Sequence, residues 1–262
     1  MHVATSTMLD TLVSIAQDAG AVILDIYADE SRFQTELKDN QSPLTQADRA
    51  AHELISARLQ ALTPEIPILS EEGKDIPYSE RAAWTRFWLV DPLDGTKEFL
   101  KRNGEFTVNI ALIEQGRVVM GCVHVPVMNT TYFAAKGEGA FVLREGAEAV
   151  RIEAAPLDLQ ASGLRVVASR SHMTPEVEAY IAQFDSPSLV SMGSSLKLVL
   201  VAEGKADIYP RLGPTMEWDT AAAQIVVEEA GGTVINHETG APLGYNKENL
   251  LNPYFIVFAR QA

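Results

Sequence analysis

The chain has 262 residues, 47% of them hydrophobic and 21% charged. These are the proportions of an ordinary soluble globular protein, long enough to bury a large core without disulfide or zinc staples. Its 21 Lys and Arg against 35 Asp and Glu give a net charge of −14. That argues against a nucleic-acid polymer or an anionic membrane surface as partner. A small anionic substrate stays open, because bound divalent cations reverse a local field. The single cysteine, Cys122, excludes an intrachain disulfide and a cysteine-based zinc cluster, and fits a reducing, cytoplasmic compartment. Asp10 and Asp18 interrupt the first apolar stretches and no basic cluster opens the sequence, so neither a signal peptide nor a membrane span is expected.

In chain order, Leu9, Leu12, Val13, Ala16, Ile23, Ile26 and Tyr27 recur at helical spacing and predict a helix over 9–27. A second helix is expected over 47–62, stopped by Pro64. Ile66–Leu69 and Phe87–Val90 read as short buried strands. From Phe106 to about 143, strand-like segments punctuated by Gln115-Gly116, Pro126–Asn129 and Gly137–Gly139 predict an antiparallel meander, with Cys122 as a small core residue. The polar, non-periodic stretch 145–163 is the expected boundary. Beyond it, strands at 164–168, 189–192, 208–209 and 233–235 alternate with helices at 175–184, 194–203 and 220–230. The expected fold is therefore an α+β N-terminal unit over 1–155, two helices plus an antiparallel sheet, joined to an α/β C-terminal unit over 156–262.

Three acidic segments stand at predicted strand ends or a helix start, where ligand sites gather in sheet proteins. They are Glu71-Glu72 after the first strand, Asp91-Pro-Leu-Asp94-Gly95-Thr96 after Trp88-Leu-Val, and Glu217-Trp218-Asp219 before a helix. Pro92 cannot continue a ladder, so a turn is expected there, and the free N–H groups that follow suit a phosphate. Each segment also has a structural reading: Asp219 as an N-cap, Glu71-Glu72 as a solvated loop, Asp91–Gly95 as a turn. Brought together, carboxylates ~4 Å apart would repel by about 4 kcal/mol at an effective dielectric of 20, and a bound cation is the natural compensation. A donor set of oxygens alone suits Mg²⁺, with Mn²⁺ as the alternative.

On these motifs, in this order, the sequence resembles the inositol monophosphatase superfamily of Mg²⁺-dependent, lithium-sensitive phosphatases. Within it, Gly95-Thr-Lys-Glu-Phe99, Lys101-Arg-Asn-Gly-Glu-Phe-Thr-Val-Asn109, Ser169-Arg-Ser-His172, Gly193-Ser-Ser-Leu-Lys197 and Tyr209-Pro-Arg211 make it similar to the 3'(2'),5'-bisphosphate nucleotidase branch. The inositol phosphatases usually carry Thr-Asn-Phe after Asp-Gly-Thr.

The resemblance implies a layered αβαβα sandwich. It also implies that Glu71, Asp91, Asp94, Asp219 and the Leu93 carbonyl hold two or three Mg²⁺ ions, with Glu71, Asp48 and Thr96 serving catalysis. Asp94, Gly95 and Thr96 would hold the scissile phosphate, and His172, Ser194, Lys197, Arg211 and Asp219 the rest of the substrate. Lys101 and Arg102 are further basic candidates, and Trp88 and Trp218 are expected beside the acids. Thr45-x-x-Asp48 is equally a capping box, a reading the sequence leaves open. The implied activity is hydrolysis of the 3'-phosphate of adenosine 3',5'-bisphosphate, a small-molecule partner, with its sulfated analogue as a second substrate. The alternatives are an inositol or sugar monophosphatase and, outside enzymes, a nucleotide- or metal-binding module. Cytoplasmic placement with peripheral attachment to the inner membrane face is the implied location, and monomer and homodimer stay equally open.

Overall fold

A computed structural model describes residues 2–33, 36–37, 43–168 and 173–261. The chain opens with α1 (His2–Tyr27), seven residues earlier than the apolar spacing predicts, and a short hairpin of β1 (Glu36–Leu37) and β2 (Pro43–Leu44) leads to α2 (Gln46–Leu62). By length and composition α1 could span a bilayer, but Leu12, Ile15, Ala16, Ala19 and Ile23 are wholly buried against the rest of the protein, as in a core helix.

A seven-stranded sheet follows, with its strands in sequence order: β3 (Ile68–Ser70), β4 (Arg86–Asp94), β5 (Thr107–Glu114), β6 (Arg117–Val125), β7 (Thr130–Ala135), β8 (Gly139–Arg144) and β9 (Val150–Ile152). Two short helices, α3 (Tyr78–Arg81) and α4 (Thr96–Leu100), flank β4 in the chain. Only β3 and β4 pair in parallel; the rest is the expected meander. The stretch read as a boundary is not bare: it carries β9, on the sheet's edge, and β10 (Pro156–Leu157). Its polar side chains hid both strands, β9 pairing with the preceding β8 and β10 with a partner about a hundred residues on.

The second sheet has the order β12-β11-β13-β15-β14, built from β11 (Arg165–Ala168), β12 (Ser188–Ser191), β13 (Ile208–Arg211), β14 (Thr233–Asn236) and β15 (Phe255–Phe258). A last strand, β16 (Arg260–Gln261), pairs in parallel with β10. The three helices here are α5 (Pro175–Ile181), α6 (Leu196–Ala202) and α7 (Glu217–Glu229). Thr174 caps α5 as its sequence predicts, its hydroxyl accepting from the Val177 N–H. Phe255–Phe258 was not anticipated as a strand, although it lies between β13 and β14; a four-residue apolar run carries no periodicity.

The layers follow from which faces are apolar. Trp88, Val90, Ile110 and Cys122 point to α1 and α2, whereas Phe87, Leu89, Ala111 and Val123 point to the opposite face. There α7 lies across β4–β8, with α6 beside it and the second sheet beyond; α5 packs against β13. The order is helix, sheet, helix, sheet, helix, the expected αβαβα sandwich. Strands buried on both faces need the near-continuous apolar runs these have. Gly121 permits the close approach of α7: a Cβ there would stand 2.6 Å from the Ala222 carbonyl oxygen of that helix.

Candidate active site

The site begins where β4 ends. Pro92 does not end the strand as expected; β4 runs on to Asp94 through a register shift. Asp91 faces Asn109 and Asp94 faces Thr107, so three steps of β4 oppose two of β5. A bulge tolerates the missing proline N–H and turns side chains toward a site. The Leu93 N–H donates to Asp91 Oδ1 at 3.1 Å, and Gly95, at φ +97°, turns the chain into α4. A Cβ on Gly95 would meet Ser194 Oγ at 2.2 Å.

Glu71 follows β3, its N–H bonded to the Val90 carbonyl at 3.1 Å. Asp219 is not the N-cap of α7: Met216 holds that position, and Asp219 Oδ2 accepts the Met216 N–H at 2.9 Å from one turn inside. Carboxylate oxygens of Glu71, Asp91 and Asp219 all lie within 4.8 Å of one another. Burial first, and then the neighbouring acids, push Asp91 and Asp219 well above the usual carboxylate range. Asp94 stands beside this trio. Burial raises it to about 6, against the opposing pull of Lys197 and of the Ser195 N–H, which donates to Asp94 Oδ2 at 2.6 Å. Three hard oxygen donors held in one small volume, Asp91 buried among them, are the donor set of a divalent-cation site.

Asp48 makes the capping box and also reaches Thr96. Its Oδ2 accepts from the Thr45 N–H at 2.8 Å and hydroxyl at 2.5 Å, the capping box of α2, while its Oδ1 accepts the Thr96 hydroxyl at 3.2 Å. The Leu93 carbonyl lies 3.5 Å from that hydroxyl.

Asp94, Gly95 and Asp219 line a cavity of about 310 Å³ together with the cations Lys101, Lys197 and Arg211, the Tyr209 ring and the carboxylates Glu98 and Glu105. Lys197 is buried, 5.9 Å over the Tyr209 ring, and burial lowers its ammonium to about 8. Arg211 donates to the Pro214 carbonyl at 2.7 Å, and its buried Nε has no hydrogen-bond partner. Ser194 is not a helix cap. At φ +48° it places Oγ 2.8 Å from the Asp94 carbonyl and 2.7 Å from that of Glu105, joining the two halves of the chain.

Other sequence candidates stand elsewhere. Arg102 lies over the Tyr27 ring at 4.8 Å and pairs with Glu30 at 3.4 Å. Trp88 is buried in the α1/α2 cluster, donating to Thr63 Oγ1 at 2.8 Å, and Trp218 packs against the other cluster. His172 lies outside the described residues. Cys122 is buried and its thiol pushed up, an inert core group. Sequence reasoning missed Ser195, Thr107 and Asn109, which join behind Asp94: Ser195 Oγ donates to Asn109 Oδ1 at 2.9 Å and lies 2.8 Å from Thr107 Oγ1. They stand within motifs quoted for the resemblance, but nothing local pairs them, since the partners are 86 and 88 positions apart.

A layered αβαβα sandwich with an acid cluster at a strand bulge and a cavity beside it lined in part by Lys101, Lys197 and Arg211 defines a class of metal-dependent proteins. The chain belongs to the inositol monophosphatase family, which it matches over residues 4–256. It is 46% identical over 252 residues to the 3'(2'),5'-bisphosphate nucleotidase CysQ of Escherichia coli K12, covering 95% of this chain and 99% of that protein. The crystal structure of CysQ from Bacteroides thetaiotaomicron superposes with a TM-score of 0.85 at 46% identity, over 98% of each chain. The suhB protein of Bartonella henselae gives 0.78 at 26% identity, over 97% of this chain and 94% of that one.

Proposed function

We propose that this chain is a divalent-metal-dependent phosphomonoesterase that removes the 3'-phosphate of adenosine 3',5'-bisphosphate to leave AMP, and acts likewise on the sulfated analogue. The observation that carries the reading is the acid trio beside a cavity that Lys101, Lys197 and Arg211 help to line. A phosphate ester needs both: cations at the reacting group and fixed positive charge for the other anion. Likeness to the curated nucleotidases over nearly the whole chain supports the choice of substrate.

Glu71, Asp91, Asp94, Asp219 and the Leu93 carbonyl would hold two or three Mg²⁺ ions, or Mn²⁺. Bound there, such ions supply a water of lowered pKa and stabilise charge on the leaving ester oxygen. The protein's own groups do the rest. Because Thr96 donates its hydroxyl hydrogen to Asp48 Oδ1, the Thr96 oxygen is left as an acceptor. It accepts a hydrogen bond from the attacking water and so turns that water's lone pair toward phosphorus. Asp48, fixed by the Thr45 cap, keeps the Thr96 hydroxyl in that sense. Lys197 and Arg211 receive the second phosphate, and Ser194 with Gly95 shapes the cavity mouth.

The test is phosphate release from adenosine 3',5'-bisphosphate and from inositol 1-phosphate, each with Mg²⁺ and with EDTA. Mg²⁺-dependent release, faster by at least tenfold from the nucleotide, is expected. Preference for the inositol ester would make the chain an inositol monophosphatase on the same scaffold. Metal uptake with no release from either would make it a binding module.

A further inference from the structure

Away from the cavity, a buried polar staple joins the two segments that carry the outer members of the acid trio. Glu217, fully buried, takes the Asn246 N–H at 2.7 Å and the Lys247 N–H at 3.0 Å on its carboxylate, and the Lys247 ammonium at 2.6 Å. Arg81, 3% exposed, holds the other side of the same segment. Its guanidinium donates to the Lys247 carbonyl at 2.6 Å, the Glu248 carbonyl at 2.7 Å and Asn246 Oδ1 at 3.0 Å. Asn246, at φ +68°, returns a bond from Nδ2 to the Arg81 carbonyl at 2.7 Å. The N–H groups of residues 246–247 are thus bound by a carboxylate and the carbonyls of 247–248 by a guanidinium. Asn252 completes the attachment, donating to the Met216 carbonyl at 2.8 Å and to Thr220 Oγ1 at 3.0 Å.

The placement matters because Glu217 begins α7 two residues before Asp219, and Arg81 lies on the connection that leaves Glu71 toward β4. Burying a carboxylate and a guanidinium costs about as much as their attractions return, so stability alone does not account for them; fixing one arrangement does. We infer that Arg81 and Glu217 are positioning residues that set the gap between Glu71 and Asp219 and thereby the affinity of the acid cluster for divalent cations. This rests on the metal-site reading above. They touch neither substrate nor metal; they act through the loop 246–248, which neither unit holds alone.

The test is Mn²⁺ titration of the full chain, followed by electron paramagnetic resonance of the free ion, with thermal melts of the metal-free protein alongside. Glu217→Gln and Arg81→Lys are each expected to raise the Mn²⁺ dissociation constant about tenfold. Tyr132→Phe serves as control: it breaks a bond to Glu203 far from the acids, at 2.8 Å in the wild type, and should lower Tm while leaving Mn²⁺ affinity unchanged. Should Glu217→Gln fail to fold, Arg81→Lys carries the test, because it keeps the charge and loses only the fork. Variants that melt earlier yet bind Mn²⁺ within twofold of wild type would overturn the inference and leave the metal site standing. A wild-type protein that takes up no Mn²⁺ would overturn both.

Discussion

Thr96 and Asp48 show how one carboxylate serves two structures. One oxygen closes the first turn of α2 and the other accepts the Thr96 hydroxyl. Removing that hydroxyl in Thr96→Val costs one hydrogen bond, about 1 kcal/mol of stability. On the proposed reading it also deprives the attacking water of the acceptor that orients it, a loss expected to reach about 10²-fold in kcat. Turnover should therefore collapse while Tm falls by only a few degrees, and steady-state kinetics beside a thermal melt reads both. Lys197→Met should behave differently. On the proposed reading its ammonium meets an anion present in the ground state as in the transition state, so KM should rise at least tenfold with kcat little changed. A kcat loss without a KM change would place Lys197 outside the substrate's reach.

At the scale of elements, the site depends on how closely α7 lies on the seven-stranded sheet. Gly121 on β6 faces Ala222, one turn along from Asp219, and an added Cβ would meet the Ala222 carbonyl oxygen and Ile225 Cγ2, each at 2.6 Å. Backbone cannot rotate aside, so Gly121→Ala should lift α7, costing about 1–3 kcal/mol. Mn²⁺ affinity should weaken too, since Asp219 moves with the helix; calorimetry and Mn²⁺ titration on one sample would check both. Sequence reading reached far here and then stopped for identifiable reasons. Acids at Asp91 and Asp94 were legible because Asp, Pro and Gly name a turn at a strand end, and Asp48 because it completes a local box. The bulge that carries β4 past Pro92 was not, because it depends on the register of β5. Asp219 was placed at the right helix start but at the cap, since sequence does not show that Met216 occupies that position. Arg81 and Glu217 were invisible as partners of one loop: each resembles a surface charge until a segment 165 or 29 positions away folds onto it.

Over the whole molecule, two buried groups of opposite sign shape stability against pH. His124, buried between β6 and α1 and bonded to Thr131 Oγ1 at 2.9 Å, is held neutral by desolvation, its pKa lowered to about 4. The unfolded chain protonates near 6.5, so this contribution is intact above that pH and is lost as pH falls toward 4, by about 3 kcal/mol in all. The acid cluster runs the other way. Asp91 titrates well above 3.8 in the folded, metal-free chain, so its contribution is present below 3.8 and lost as pH rises through the folded value. Metal-free protein at neutral pH therefore carries a strain that function requires and stability does not. Asp91→Asn should relieve it: in EDTA the variant should melt above wild type at pH 8, with the gap closing toward pH 5, while His124 lowers both proteins together. Mg²⁺ at about 100 times its dissociation constant should raise wild-type stability by about 2.7 kcal/mol and give Asp91→Asn far less of that gain. Differential scanning calorimetry of the two proteins at pH 5, 6.5 and 8, with and without Mg²⁺, separates the contributions. A variant less stable than wild type at pH 8 in EDTA would show that something other than mutual repulsion governs the cluster.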